Sequence, residues 1–216
     1  MKGVKNMLKA PYECWNNERY YEHNAPLNPE ASKYLLITVK RVLESHDILI
    51  MPMFGTLLGA IREHGFIKND TDVDTVIFAK DIPLVFDLQP ELENLDIHLH
   101  CYVLPWILTF EYQGATCDLY PIYESAWPWT SRYYLLMEKY INKKYFDSNE
   151  DYELFGEIFK IPANPERLLA YLYGSDWRVP QNKKAEVESR LFFWRHLYRF
   201  MRRCMRYAKR HILKRK

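Results

Sequence analysis

The stretch FGTLLGAIREHGFIKNDTDVD, residues 54–74, leaves the chain around it little freedom. An apolar run, Ile48-Leu49-Ile50-Met51-Pro52-Met53, precedes it and reads as a buried strand. That strand runs straight into Gly55-Thr56, and Leu57 to Glu63 then reads as a short helix ended by Gly65. Asp72 to Ala79 reads as the next strand, entered through Asp70. Strand, turn, helix and strand in such close succession commit the chain to a sheet with at least one helix packed on it.

The same stretch carries a concentration of chemistry. Side chains two apart on a strand point to one face, so Asp72 and Asp74 project together and Thr71 points away. Two carboxylates held so close repel each other unless a cation lies between them. Oxygen-only ligands suit a hard divalent ion, Mg²⁺ or Mn²⁺; the plain alternative is a solvated acidic turn. Gly55 permits close backbone approach, and the N–H groups at the start of the following helix favour an anion. Thr56 can cap that helix or hydrogen-bond a phosphate. Arg62, near the helix end, suits bidentate phosphate binding, against the alternative of a surface arginine. Turn, arginine and carboxylates together form one constellation that points to phosphate chemistry.

Elsewhere the pattern is that of an α+β domain: a mixed sheet with helices packed on it. The segment to about Pro29 reads as an irregular packed arm. A helix follows to about Ser45, with Leu35, Leu36, Val39, Val42 and Leu43 on one face. Pro83 to Leu88 reads as a helical turn. Ile97 to Val103, Trp106 to Tyr112 and Thr116 to Ile122 read as consecutive strands, with Gly114 in the last turn. Trp127 to Asp151 is aromatic and polar without a clear period and reads mostly as helix or loop. Ile158 to Pro162 resembles a final short strand, and a helix from Pro165 to Tyr173 ends at Gly174. Trp177 beyond it reads as a packing residue, with Asp176 or Trp177 as alternative substrate contacts.

Charge separates a body domain, residues 1–180, from a tail, 181–216. Of the 30 basic and 28 acidic side chains, 13 and two fall in the tail, leaving 17 and 26 in the body. The tail also carries an apolar stripe at helical spacing, including Leu191, Trp194, Leu197, Met201 and Met205, and reads as one long basic amphipathic helix from Lys183. Such a helix suits an anionic membrane surface; docking on the acidic body is the rival, and nucleic acid a lesser one. No apolar run is long enough to span a bilayer and no signal-peptide pattern opens the chain, so a cytoplasmic protein, peripheral at the inner face of the membrane, is expected. Cys14, Cys101, Cys117 and Cys204 are scattered without a CxxC pair and read as reduced thiols.

A hydrophobic-Gly-Ser/Thr turn, a helix and a [DE]-x-[DE] strand resemble the opening of nucleotidyltransferase-fold (polymerase-β-like) sites. The stretch at 54–74 is closer still to the LicD/fukutin hallmark GTLLGxxRxxGFIPWDDDxD. Thr116-Cys117-Asp118-Leu119-Tyr120-Pro121-Ile122 resembles that family's middle strand, and Leu168 to Trp177 its closing YGxdW element. On spacing alone any of several acids can serve as a third ligand; strand context and the resemblance select Asp118. The resemblance implies transfer of a phosphorylated alcohol, such as phosphocholine or ribitol phosphate, from a CDP-activated donor to a hydroxyl of a cell-surface glycan, which can be lipid-linked. By carry-over, Asp72, Asp74 and Asp118 hold Mg²⁺ or Mn²⁺, with Asp118 alternatively the base for the acceptor hydroxyl. Gly55, Thr56 and Arg62 cradle the donor diphosphate. Asp70 binds metal, orders the turn or does neither. Lys68-Asn69 stands where the family has Pro-Trp, so Lys68 borders a donor pocket that differs.

Two other readings stand beside this one: a nucleotidyltransferase moving NMP itself, and a non-catalytic basic membrane or nucleic-acid adaptor. Of the remaining candidates, His64 reads as a solvated loop residue. His98 and His100 alternate on a strand without a third ligand nearby. Trp127-Pro128-Trp129 reads equally as packing and as a stacking surface.

Overall fold

The structure is a computed structural model, and it describes residues 26–103, 106–125, 131–137 and 139–180. The basic tail helix, the N-terminal arm to residue 25, and Trp127-Pro128-Trp129 lie outside the described residues. The chain divides into one compact unit through Arg178 and a second from Val179 to Lys216, of which only Val179 and Pro180 are described. Among the described residues no helix is long and apolar enough to cross a membrane.

Helix α1, Pro29–Ser45, begins where Asn28 accepts from the Glu30 and Ala31 amides and Pro29 occupies the first turn. Strand β1, Ile50–Pro52, is wholly buried and pairs antiparallel with β2, Val73–Phe78. Between them α2 spans Phe54–Glu63. It starts before the predicted Leu57 and stops at His64, which takes the left-handed conformation at φ 54, so the stop falls one residue ahead of Gly65. After β2 come a 3₁₀ turn at Ala79–Asp81 and two short helices, α3 (Ile82–Asp87) and α4 (Gln89–Glu93). Only the first of these was expected; Pro90 in the first turn of α4 starts the second.

Strands β3 (His98–Val103), β4 (Ile107–Tyr112) and β5 (Ala115–Glu124) fall close to their expected places. The sheet order is β1-β2-β5-β4-β3, with β2 and β5 parallel and the other pairs antiparallel. Tyr34 of α1 meets Tyr112 with ring centroids 4.4 Å apart. By strand alternation α1 therefore covers the face that carries Phe110, Cys117 and Leu119. Asp74 and Asp118 project from the opposite face.

The described part of the aromatic middle is built on strands, joined by a 3₁₀ turn at Lys143–Tyr145. Strands β6 (Tyr133–Leu136) and β7 (Lys139–Asn142) form a hairpin on the end of β5, and β8 (Asn149–Leu154) pairs with β9 (Glu157–Pro162) as a separate two-stranded sheet. Tyr134, Leu136 and Ile141 point inward while Tyr133 and Tyr140 face solvent, so aromatics on both faces conceal the alternation. The β8–β9 hairpin clamps α1 and α2. Lys40 and Arg41 of α1 pair with Glu157, and the Tyr152 hydroxyl donates to the Ala60 carbonyl at 2.6 Å. The same hydroxyl lies 3.1 Å from Nδ1 of His64, which is exposed yet anchored rather than merely solvated. Helix α5, Pro165–Tyr173, ends at Gly174, whose φ of 101 suits glycine, and Trp177 is buried beyond it.

Candidate active site

The turn leaving β1 is stitched to β2 at one residue, Asp74. The Met53 amide donates to the Asp74 carbonyl at 3.0 Å, the Gly55 amide to Asp74 Oδ2 at 2.9 Å, and the Asp74 amide to the Thr56 hydroxyl at 2.8 Å. A Cβ on Gly55 would lie 2.7 Å from Asp70 Oδ2 and 3.1 Å from Asp74 Oδ2, so only glycine admits both carboxylates this close. Asp118 stands directly opposite Asp74 in the parallel β2–β5 register. Asp72, one residue before β2, completes a trio whose ligand atoms lie within 4.8 Å of one another. No other such group of His, Cys, Asp or Glu occurs among the described residues, His98 and His100 included.

These carboxylates resist ionising together. Burial holds the Asp74 carboxyl well above the usual range, and the charges of Asp72, Asp118 and Asp70 push the same way, against the Gly55 amide. Burial likewise raises Asp118, to about 7, opposed by the Thr109 hydrogen bond, reinforced by the Asp72 charge and opposed again by Tyr120. Asp74 and Asp118 are only 8% and 3% exposed, so water does little to relieve the repulsion. A divalent cation would. An all-oxygen donor set, charge-rich and with two of its three acids buried, fits a hard ion of the Mg²⁺ or Mn²⁺ kind. Cys117, between the acids' strand neighbours, is no ligand: it points to the other face, and burial followed by the Asp118 charge keeps it a protonated thiol.

The other predicted residues are placed differently from one another. Gly55 and Thr56 do lie at the trio, but their amide and hydroxyl are engaged with Asp74, and Thr56 is inside α2 rather than its cap. Met53 occupies the cap position without a side-chain cap of its own, and Asp74 Oδ2, accepting from the Gly55 amide, caps the positive end of α2 instead. Asp70 sits against Gly55, accepts from the Thr71 amide, and its carbonyl accepts from Leu27 at 2.7 Å, so it both orders the turn and adds negative charge. Arg62 is taken up elsewhere: it pairs with Glu63 at 2.6 Å and donates to the Trp177 carbonyl at 3.2 Å. Lys68 is exposed on the turn where Asn69 adopts φ 67.

Four residues at the site were not read from the sequence. Thr109 donates to Asp118 Oδ1 at 2.7 Å and Tyr120 to Oδ2 at 3.3 Å. Phe54, at φ 46, sets its ring edge-on to Tyr120 at 5.2 Å. Tyr173 feels the charges of Asp74, Asp70, Arg62 and Asp72, and its phenol is held well above the ordinary range by burial and then by Asp74 and Asp70. A signal for Thr109 existed. Gln113-Gly114 both take positive φ, as a tight hairpin turn requires, and counting outward from that turn places Thr109 across from Asp118.

A strand–turn–helix–strand opening, a mixed sheet and carboxylates on two adjacent parallel strands define an α+β domain of the nucleotidyltransferase-like class. The family model described as LicD/FKTN/FKRP, nucleotidyltransferase domain, matches residues 47–164, more than half the chain, and the chain belongs to that family. None of the curated proteins matches it. Among solved structures, the lincosamide antibiotic adenylyltransferase LnuA bound to lincomycin is similar at 9% identity and TM-score 0.49, covering 76% of this chain and 95% of that one. The antibiotic-resistance factor ANT(2'')-Ia is similar at 15% identity and TM-score 0.44, covering 82% and 96%.

Proposed function

We propose that this protein is a metal-dependent transferase that moves a phosphorylated alcohol from a CDP-activated donor to a hydroxyl of a glycan. The observation that carries this reading is the trio itself: Asp72, Asp74 and Asp118 within 4.8 Å, two of them buried, at the start of a helix whose Gly55 amide donates to Asp74. Family membership supports a transferase. Asp72, Asp74 and Asp118 would hold Mg²⁺ or Mn²⁺. When bound, the cation supplies charge neutralisation at the transferring phosphoryl group. Gly55 gives the backbone clearance that lets Asp70 and Asp74 crowd the turn, and the amide end of α2 adds positive potential for a diphosphate. The basic segment 181–216 would hold the protein at an anionic membrane, near a lipid-linked acceptor.

A panel of CDP-alcohols with Mg²⁺ and a glycan acceptor tests the reading. Release of CMP with a phospho-alcohol on the glycan is expected. A nucleotidylated acceptor would instead assign transfer of NMP, and no turnover with any donor would favour an adaptor.

A further inference from the structure

The third carboxylate is the one whose orientation is built rather than inherited from the turn. Asp74 and Asp72 belong to the local motif, whereas Asp118 arrives on β5 and must be aimed across a strand boundary. Its surroundings do this with three hydroxyls. Thr75, on β2, donates to the Asp118 carbonyl at 2.9 Å and fixes the backbone. Thr109 lies opposite Asp118 in the antiparallel β4–β5 register, on the side away from Asp74, and donates to Oδ1. Tyr120, two residues along on the same face, donates to Oδ2. Each carboxylate oxygen has two lone pairs, so one hydrogen bond to each locks rotation of the group while leaving one acceptor direction per oxygen. Tyr120 is itself held by the edge-on ring of Phe54, whose φ of 46 is a conformation that bulky residues rarely adopt and keep only under local constraint.

We infer that Thr109, with Tyr120 behind it, is a positioning residue that aims Asp118 at the cation shared with Asp72 and Asp74; this rests on the metal reading given above. Partners of this kind, one bond behind a ligand, typically change metal affinity about 10- to 100-fold when removed. Thr109 makes the shorter bond and is nearly fully buried, so it carries the larger effect.

Calorimetric titration of the full chain with Mn²⁺ alone tests this, with melting in chelator as the control for folding. Thr109→Val keeps the shape and removes the hydroxyl; it should bind Mn²⁺ about 10- to 100-fold more weakly, while Thr109→Ser restores near wild-type affinity. Tyr120→Phe should show a smaller loss and keeps the test available if Thr109→Val does not fold. Equal affinity in wild type, Thr109→Val and Tyr120→Phe would overturn the positioning role and leave the metal site standing. A wild-type chain that binds no Mn²⁺ would remove both.

Discussion

The two ends of α2 were read from the sequence as parts of one phosphate cradle, and they have opposite fates. At the N-terminal end, Gly55 and Thr56 close on Asp74, whose carboxylate caps the helix. At the C-terminal end, Arg62 pairs with Glu63 and braces α2 against the carbonyl of Trp177. A helix rises about 1.5 Å per residue, so Arg62 lies about 9 Å further along the axis than Thr56. Nearness in a motif says which groups share an element. It does not say which of them share a partner.

The largest effect that sharpens this contrast lies at the N-terminal end. Asp74→Ala, and separately Asp72→Ala, should bring Mg²⁺-dependent turnover to background while circular dichroism stays unchanged. Activity kept in either variant would remove that residue from the metal site. Gly55→Ala comes next. Its methyl would meet Asp70 Oδ2 at 2.7 Å and Asp74 Oδ2 at 3.1 Å, and displacing either carboxylate should cost turnover about 10²-fold. Wild-type kinetics there would show that the turn yields more easily than its contacts suggest.

A third effect is read from stability. The folded Asp118 carboxyl sits at about 7 against a reference of 3.8, so between those values the folded state holds the proton more tightly than the unfolded one. Its contribution to stability is therefore lost as pH rises from about 4 to about 7. In chelator, the melting temperature of Asp118→Asn relative to wild type should climb across that window, and added Mg²⁺ should close the gap by stabilising wild type. A gap flat with pH would contradict the assigned cause. The smallest effect belongs to the other end of α2. Arg62→Ala should lower stability by about 1 kcal/mol, the scale of a lost hydrogen bond, and leave the donor KM nearly unchanged. A large rise in KM at constant stability would reunite the two ends in one cradle.

The legible part of the molecule was the part whose signals are local. Strand β1, helix α2 and strand β2 follow one another with apolar periods and a glycine turn, and Asp118 sits in a plainly hydrophobic strand. Of the hairpins between β5 and α5 only β9 was legible, as the run Ile158 to Pro162; β6, β7 and β8 were not. In β6, Tyr133-Tyr134-Leu135-Leu136 offers large apolar groups to both faces, and β8, Asn149–Leu154, is mostly exposed, so neither shows a two-residue alternation. Phe155-Gly156, both at positive φ, was the one local cue that β8 turns back into β9. The partners of Arg62 were hidden for a different reason. Glu63 beside it and Trp177 far along the chain compete for its guanidinium, and the second partner becomes visible only once α5 has packed.

The parallel pairing of β2 with β5 also ties closure of the sheet to the charge of the site. Helices α3 and α4 and strands β3 and β4 lie between these strands in the sequence, so their union is a non-local contact. It is also the step that drives Asp118 against Asp74. The central sheet thus closes against repulsion among its own carboxylates, and a divalent cation present during refolding would favour that pairing as well as the final stability.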